Sequence, residues 1–222
     1  MKVTITGDTH GDPILSRFFG IPESYKEIIM ICGDFGYIWD NSKKEQKILN
    51  KLKELPSMIL FVPGNHENYD LLETYPVVTK FGGNVRMIAN NIYQLMTGEV
   101  YNIGGRTFLA LGGAESIDRN LRVEHKSWWS QEIPSKEEIA NAKTNLAKVG
   151  NKVDYIISHT AYPAAIEALG FDPSNDKVSG MFQWFKDNVE FKHWYFGHMH
   201  KNRELEGLNT KCLFGEKEYL SY

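Results

Sequence analysis

The chain has 222 residues, enough for one sizeable core, and a single domain spanning residues 1–222 is the economical reading. Hydrophobic residues make up 42% and charged residues 24%, the balance of an ordinary soluble globular protein. A formal net charge of −3 gives no general drive toward nucleic acid or an anionic membrane, and no apolar run reaches the roughly 18 residues of a membrane span.

Met1-Lys2 leads into Val3-Thr4-Ile5-Thr6, a β-branched run stopped by Gly7 and followed at once by Asp8 and His10. A cleaved leader would remove those two residues, so the mature chain is expected to begin at Met1. Ile28-Ile29-Met30-Ile31-Cys32 repeats the pattern before Gly33-Asp34, and Met58-Ile59-Leu60-Phe61-Val62 does so before Pro63-Gly64. These runs do not alternate, which predicts strands covered on both faces. Cys32 and Cys212 are the only cysteines; they read as buried thiols in a reducing, cytoplasmic setting.

Helical signals lie between the runs. Ser42 and Glu45 have capping-box spacing, with Ile48, Leu52 and Leu55 behind them. Ser135 and Glu138 form a second such pair, leading through Ile139, Ala142, Leu146 and Val149 to a stop at Gly150. Pro163 to Leu169 and Met181 to Phe185 are two further candidates. From Val85 to Leu111 four short apolar runs are separated by Asn90-Asn91, Gly98 and Gly104-Gly105, spacers that predict antiparallel hairpins. Asp154 to Ser158 and Trp194 to Phe196 then return to strands. The expected architecture is α/β: two packed sheets with helices outside, βαβ-like in the first half and hairpin-rich in the second.

Five clusters sit where strands should end: Gly7-Asp8-Thr9-His10, Gly33-Asp34, Gly64-Asn65-His66-Glu67, Ser158-His159 and Gly197-His198-Met199-His200. They hold two aspartates, an asparagine and five histidines, a set suited to Mn, Fe, Zn or similar ions. A lone Gly-Asp is a common turn, and a lone Ser-His is usually a satisfied histidine. The joint occurrence of five clusters, each after an apolar run, is what points to two adjacent metals.

These five clusters resemble the motifs of the calcineurin-like metallophosphoesterases from residue 7 to residue 200. The resemblance implies a four-layer αββα sandwich of two mixed sheets flanked by helices. It implies that Asp8, His10 and His200 hold one divalent ion, that Asn65, His159 and His198 hold another, and that Asp34 bridges them. Mn is the expected metal, with Fe, Zn or Ni as alternatives. His66 is left as the catalytic imidazole, donating as imidazolium to a phosphoryl oxygen or leaving group while a metal-activated water attacks in line.

The protein Ser/Thr phosphatase branch carries an Asp-Arg pair shortly after its second motif. Here Tyr37 stands where that aspartate would be and no arginine follows, which disfavours a protein phosphatase. Arg119 and Arg122 are the candidate phosphate grips, and Tyr37 and Trp39 a candidate aromatic wall for the substrate. Glu115 and Asp118 are possible supports, Trp128-Trp129 reads as a packing anchor, and His125 and His193 default to structural roles. The expected activity is hydrolysis of a small phosphodiester or phosphomonoester, with no membrane partner and no assigned oligomeric state. A metal-dependent nuclease acting on DNA or RNA is the alternative, and a non-catalytic interaction scaffold is disfavoured by retention of all eight positions.

Overall fold

The computed structural model describes residues 1–221. Its first three strands, β1 (Val3–Thr6), β2 (Ile28–Ile31) and β3 (Met58–Phe61), are parallel neighbours. Between the last two lies α1 (Lys43–Lys53), capped by the Ser42 side chain, which accepts the Glu45 N–H. Glu45 does not return the bond to Ser42 as a capping box would. Its carboxylate accepts from the backbone N–H groups of Trp39, Asp40 and Asn41, closing the turn that enters the helix.

A short helix, α2 (Tyr69–Glu73), and an edge strand, β4 (Val77–Lys80), come next. β5 (Gly83–Ala89) and β6 (Ile92–Leu95) form one hairpin, and β7 (Val100–Ile103) and β8 (Arg106–Leu111) another, turning at two of the three spacers predicted. The Gly98 spacer is not a hairpin. Both edges of β6 are already occupied, by β3 and β5, so the chain crosses to a second sheet. Gly98, at φ 86°, makes that crossing and donates its N–H to the Ala110 carbonyl.

α3 (Lys136–Lys148) begins with the full Ser135/Glu138 capping box. β9 (Lys152–Ser158), α4 (Pro163–Ala168), α5 (Lys177–Asn188) and β10 (Glu190–Phe196) follow, with β8, β9 and β10 all parallel. The second half is therefore built on crossovers as much as hairpins, which corrects the hairpin-rich expectation. Three short strands end the chain: β11 (Arg203–Leu205), β12 (Thr210–Cys212) and β13 (Glu218–Leu220), the last pairing with β1.

The sheets have strand orders β13-β1-β2-β3-β6-β5-β4 and β11-β12-β10-β9-β8-β7. Alternation along each strand divides the apolar residues among three layers. Met30, Leu60, Phe108, Ala110 and Ile157 meet between the sheets. Ile29, Ile31, Ile59 and Phe61 face Leu49, Leu52 and Leu72 from α1 and α2. Leu109, Leu111, Ile156 and Trp194 face α3, α4 and α5. The result is the four-layer αββα sandwich, and it explains why the β2 and β3 runs, Ile28–Ile31 and Met58–Phe61, lack polar residues. Among the described residues, no helix is long and apolar enough to cross a membrane.

Candidate metal centre

All five clusters leave the C-terminal ends of parallel strands: β1, β2 and β3 in one sheet, β9 and β10 in the other. Side chains there escape the packed faces and can converge. Five of them do so from a left-handed backbone: Asp8 (φ 45°), His10 (46°), Asp34 (49°), His198 (63°) and His200 (49°). Asp and His tolerate this region better than branched residues, at a cost of about 1 kcal/mol each. Neighbouring loops hold them there. The Asp8 carboxylate accepts the His198 N–H, Asp34 accepts the His66 N–H at 2.8 Å, and the Asp34 carbonyl accepts the His10 N–H at 2.8 Å.

Two donor sets result. His10 Nε2 and His200 Nε2 face each other at 3.1 Å, with Asp8 Oδ1 at 4.0 and 3.9 Å from them. His159 Nε2 lies 3.0 Å from Asn65 Oδ1, and the His198 ring packs edge-on to His159 with centroids 4.9 Å apart. Asp34 stands between the sets, Oδ1 at 3.2 Å from His159 Nε2 and Oδ2 at 3.6 Å from His10 Nε2. Adjacent ligands on an ion with bonds near 2.1 Å lie about 3 Å apart, so the spacing fits first-row divalent cations. The donor chemistry fits too: mixed imidazole, carboxylate and amide oxygen.

Burial and the neighbouring charges shift the titration of these side chains in opposing directions. Burial opposes the charged form of His159, yet the carboxylates of Asp34 and Asp8 raise it to about 9. Its Nδ1 donates to the Cys32 carbonyl at 2.8 Å, which leaves Nε2 facing Asn65 and Asp34. Burial raises the Asp8 carboxyl to about 7, with Asp34 adding to the shift and His159 opposing it. Burial also disfavours a charged Asp34, but the neighbouring His159 imidazolium holds it well below the usual carboxylate range. His10 and His198 are lowered by burial to about 4 and about 3. His66 is pushed down by burial, then by Arg122, against the pull of Asp34, which favours the neutral ring over the expected imidazolium.

Motif glycines clear the space. A Cβ on Gly33 would overlap the His159 ring, one on Gly64 the Asp34 carboxylate, and one on Gly197 the Asp8 carboxylate. Each glycine thus makes room for a side chain from a different motif. Glu67, fully buried, accepts the N–H groups of Phe35 and Gly36 at 2.6 and 3.4 Å, and so shapes the turn that carries Asp34. Burial raises its carboxyl to about 8.

An open cleft of about 780 Å³ lies over Asp34, Asn65, His66, His198 and His200. Arg119 and Arg122 both line it, as expected. Each is already paired: Arg119 with Glu115 at 2.6 Å, Arg122 with Asp118 at 2.8 Å. The aromatic wall is not where the sequence placed it. Tyr37 is 1% exposed, packs on Phe35 and Phe18, and donates its hydroxyl to the Asp12 carbonyl. Trp39 packs edge-on against Trp129 and does not line the cleft. Tyr37 thus joins the core beside Leu49 and Leu52 of α1, while Trp39 stays half-buried against Trp129. The cleft's apolar side comes instead from Ile117, Ile166, Phe171 and Met199. Trp129 is an anchor, donating to Asp70, which also meets His125 at 2.9 Å.

The chain belongs to the calcineurin-like phosphoesterase family, which it matches over residues 1–202. An uncharacterised protein, L509, of Acanthamoeba polyphaga mimivirus is 29% identical over 83 residues, 36% of this chain and 29% of that protein. The phosphopantetheinyl hydrolase of Mycobacterium tuberculosis shares the fold at a TM-score of 0.50 and 14% identity, covering 96% of this chain and 90% of the other. A putative 5'-nucleotidase from Staphylococcus aureus aligns at 0.48 and 13%, covering 99% of this chain and half of that one.

Proposed function

We propose that this protein is a dinuclear metal-dependent phosphoester hydrolase acting on a small phosphodiester or phosphomonoester. The observation that carries this reading is the Asp34 carboxylate, with one oxygen toward His159 and the other toward His10. Asp8, His10 and His200 would hold one cation, Asn65, His159 and His198 the other, with Asp34 shared. Mn is the first choice, and Fe, Zn or Ni suit the same donors. Two divalent cations there supply Lewis acidity toward phosphoryl oxygens and make water nucleophilic near neutral pH.

The remaining residues act on the substrate directly. His66 flanks the centre, its ring centroid 5.3 Å from that of His10; the negative charge of a bound phosphoester would favour the imidazolium that burial disfavours, and that proton would go to the leaving oxygen. Arg119 and Arg122 orient the phosphoryl group with their planar donors. The cleft is far larger than a phosphate group, so the substrate carries a substantial second moiety against Ile117, Phe171 and Met199. A reducing cytoplasmic location accords with the two free, buried thiols.

A Mn²⁺-supplemented screen tests the reading, using an aryl phosphomonoester, a bis-aryl phosphodiester, and mono-, di- and cyclic nucleotides. Hydrolysis of at least one small ester, lost on chelation, is expected. Turnover confined to an end-labelled oligonucleotide would transfer the assignment to a nuclease, and inactivity with every divalent ion would overturn it.

A further inference from the structure

Glu132 is a fully buried carboxylate on a short turn after Trp129, outside both donor sets and outside the cleft lining. Each of its two oxygens accepts from Ser116, with the Trp128 indole as a further neighbour. Oε1 accepts the Ser116 backbone N–H at 2.8 Å and Oε2 accepts the Ser116 hydroxyl at 2.7 Å. Ser116 is buried beneath the loop that carries Arg119 and Arg122, and its hydroxyl lies 3.2 Å from Asn65 Nδ2.

We propose that Glu132 and Ser116 form a directional hydrogen-bond relay that holds the Asn65 amide with its oxygen toward the metal position. They are positioning residues, and the inference rests on the reading of Asn65 as a metal ligand. The direction follows from proton inventory. A serine hydroxyl has one proton, and a carboxylate can only accept. With that proton committed to Glu132, Ser116 can offer Asn65 only a lone pair. Asn65 must therefore present N–H on this side and Oδ1 on the other, where it lies 3.0 Å from His159 Nε2. The opposite amide orientation would aim Nδ2 at the cation, and an amide nitrogen does not ligate.

The relay needs a carboxylate rather than any polar group of that size. In Glu132→Gln the Ser116 backbone N–H still requires an acceptor, so Oε1 stays opposite it and Nε2 faces the hydroxyl. The hydroxyl then accepts from Gln and donates to Asn65, favouring the inverted amide. Close backbone packing keeps the turn in place. A Cβ on Gly113, two residues beyond β8, would overlap the Glu132 carbonyl oxygen.

Mn²⁺ and Co²⁺ binding to the full-length protein, followed by calorimetry and by the Co²⁺ visible spectrum, tests this. Asn65→Ala should remove one of two binding events. Glu132→Gln and Ser116→Ala should weaken that same event roughly 10- to 100-fold and leave the other within about twofold, as removal of outer-shell partners does. Ser116→Thr keeps the hydroxyl and should restore it. A merely structural role would weaken both events together and gain nothing from threonine. If Asn65→Ala loses an event while Glu132→Gln and Ser116→Ala keep it, the relay is wrong. If Asn65→Ala keeps both events, the ligand reading itself fails.

Discussion

The Asp8 carboxylate accepts the His198 backbone N–H through both oxygens, at 3.0 and 3.1 Å. It ties the first strand's loop to the last motif, and both residues are in left-handed conformations. The site confines two carboxylates in a small space, and the charge of Asp34 adds to the upward shift that burial imposes on Asp8. A cation should relieve that repulsion and stabilise the fold. Mn²⁺ at 100 times its dissociation constant should add about 2.7 kcal/mol for each cation bound, seen as a rise in Tm that chelation reverses. Asp34→Ala should abolish both the rise and turnover; wild-type activity with full metal content would remove Asp34 from the bridging role.

Gly33 combines a φ of 84° with contact against the His159 ring. Gly33→Ala should cost about 2–5 kcal/mol from backbone strain and overpacking. Metal loading should suffer more than this figure suggests, because the atom displaced belongs to a donor. Denaturant melts beside metal analysis check both parts, and an alanine variant that loads like wild type would contradict the packing.

His66 borders the centre without belonging to either donor set. His66→Ala should retain both metals, slow esters with poor leaving groups by roughly 10²–10⁴-fold, and affect activated aryl esters much less. The decisive comparison is kcat for the two ester classes. Loss of metal in this variant would make His66 a ligand.

Tyr37 is a core residue with one hydroxyl bond to the Asp12 carbonyl at 3.1 Å. Tyr37→Phe should lower stability by about 1 kcal/mol and leave KM unchanged. A large rise in KM would return the ring to the cleft.

Metal loading should be pH-dependent in a stated direction. Without metal His159 keeps its proton to about 9 and Asp8 to about 7, whereas His10 and His198, at about 4 and about 3, are already neutral at neutral pH. Cations must displace the first proton below pH 9 and the second as well below pH 7. Mn²⁺ affinity should therefore fall as pH is lowered, by about one decade per unit at first and more steeply below 7. Calorimetry in buffers of different ionisation enthalpy counts the released protons, and an affinity flat across this range would refute the assignment.

The strand-end motifs are legible because each follows a short run rich in apolar and β-branched residues, and parallel strands bring their ends together. The Gly98 crossing is not, since nothing in the runs beside it records that β6 already has neighbours on both edges. Tyr37 and Trp39 misled for a related reason: proximity in sequence to Asp34 says nothing about which face of the turn a ring takes. Glu132 and Ser116 lay outside every motif, 67 and 51 residues from Asn65 (132 − 65 and 116 − 65), and only the folded loop reveals their bonds. Glu67 stood in plain view, yet its work on the Phe35 and Gly36 amides is backbone chemistry that residue type does not announce.

The clearances at Gly33, Gly64 and Gly197 mean that the motifs cannot drift independently. A relative that has lost the histidine at position 159 keeps the φ of 84° that still favours glycine at 33, and one without the carboxylate at 34 keeps the backbone nitrogen there, 2.5 Å from a Cβ at 64. Decay of such a centre should therefore leave its glycines standing after the side chains they face have gone. Gly33 would be held by its backbone angle, and Gly64 and Gly197 by the neighbouring backbone at Asp34 and Cys32.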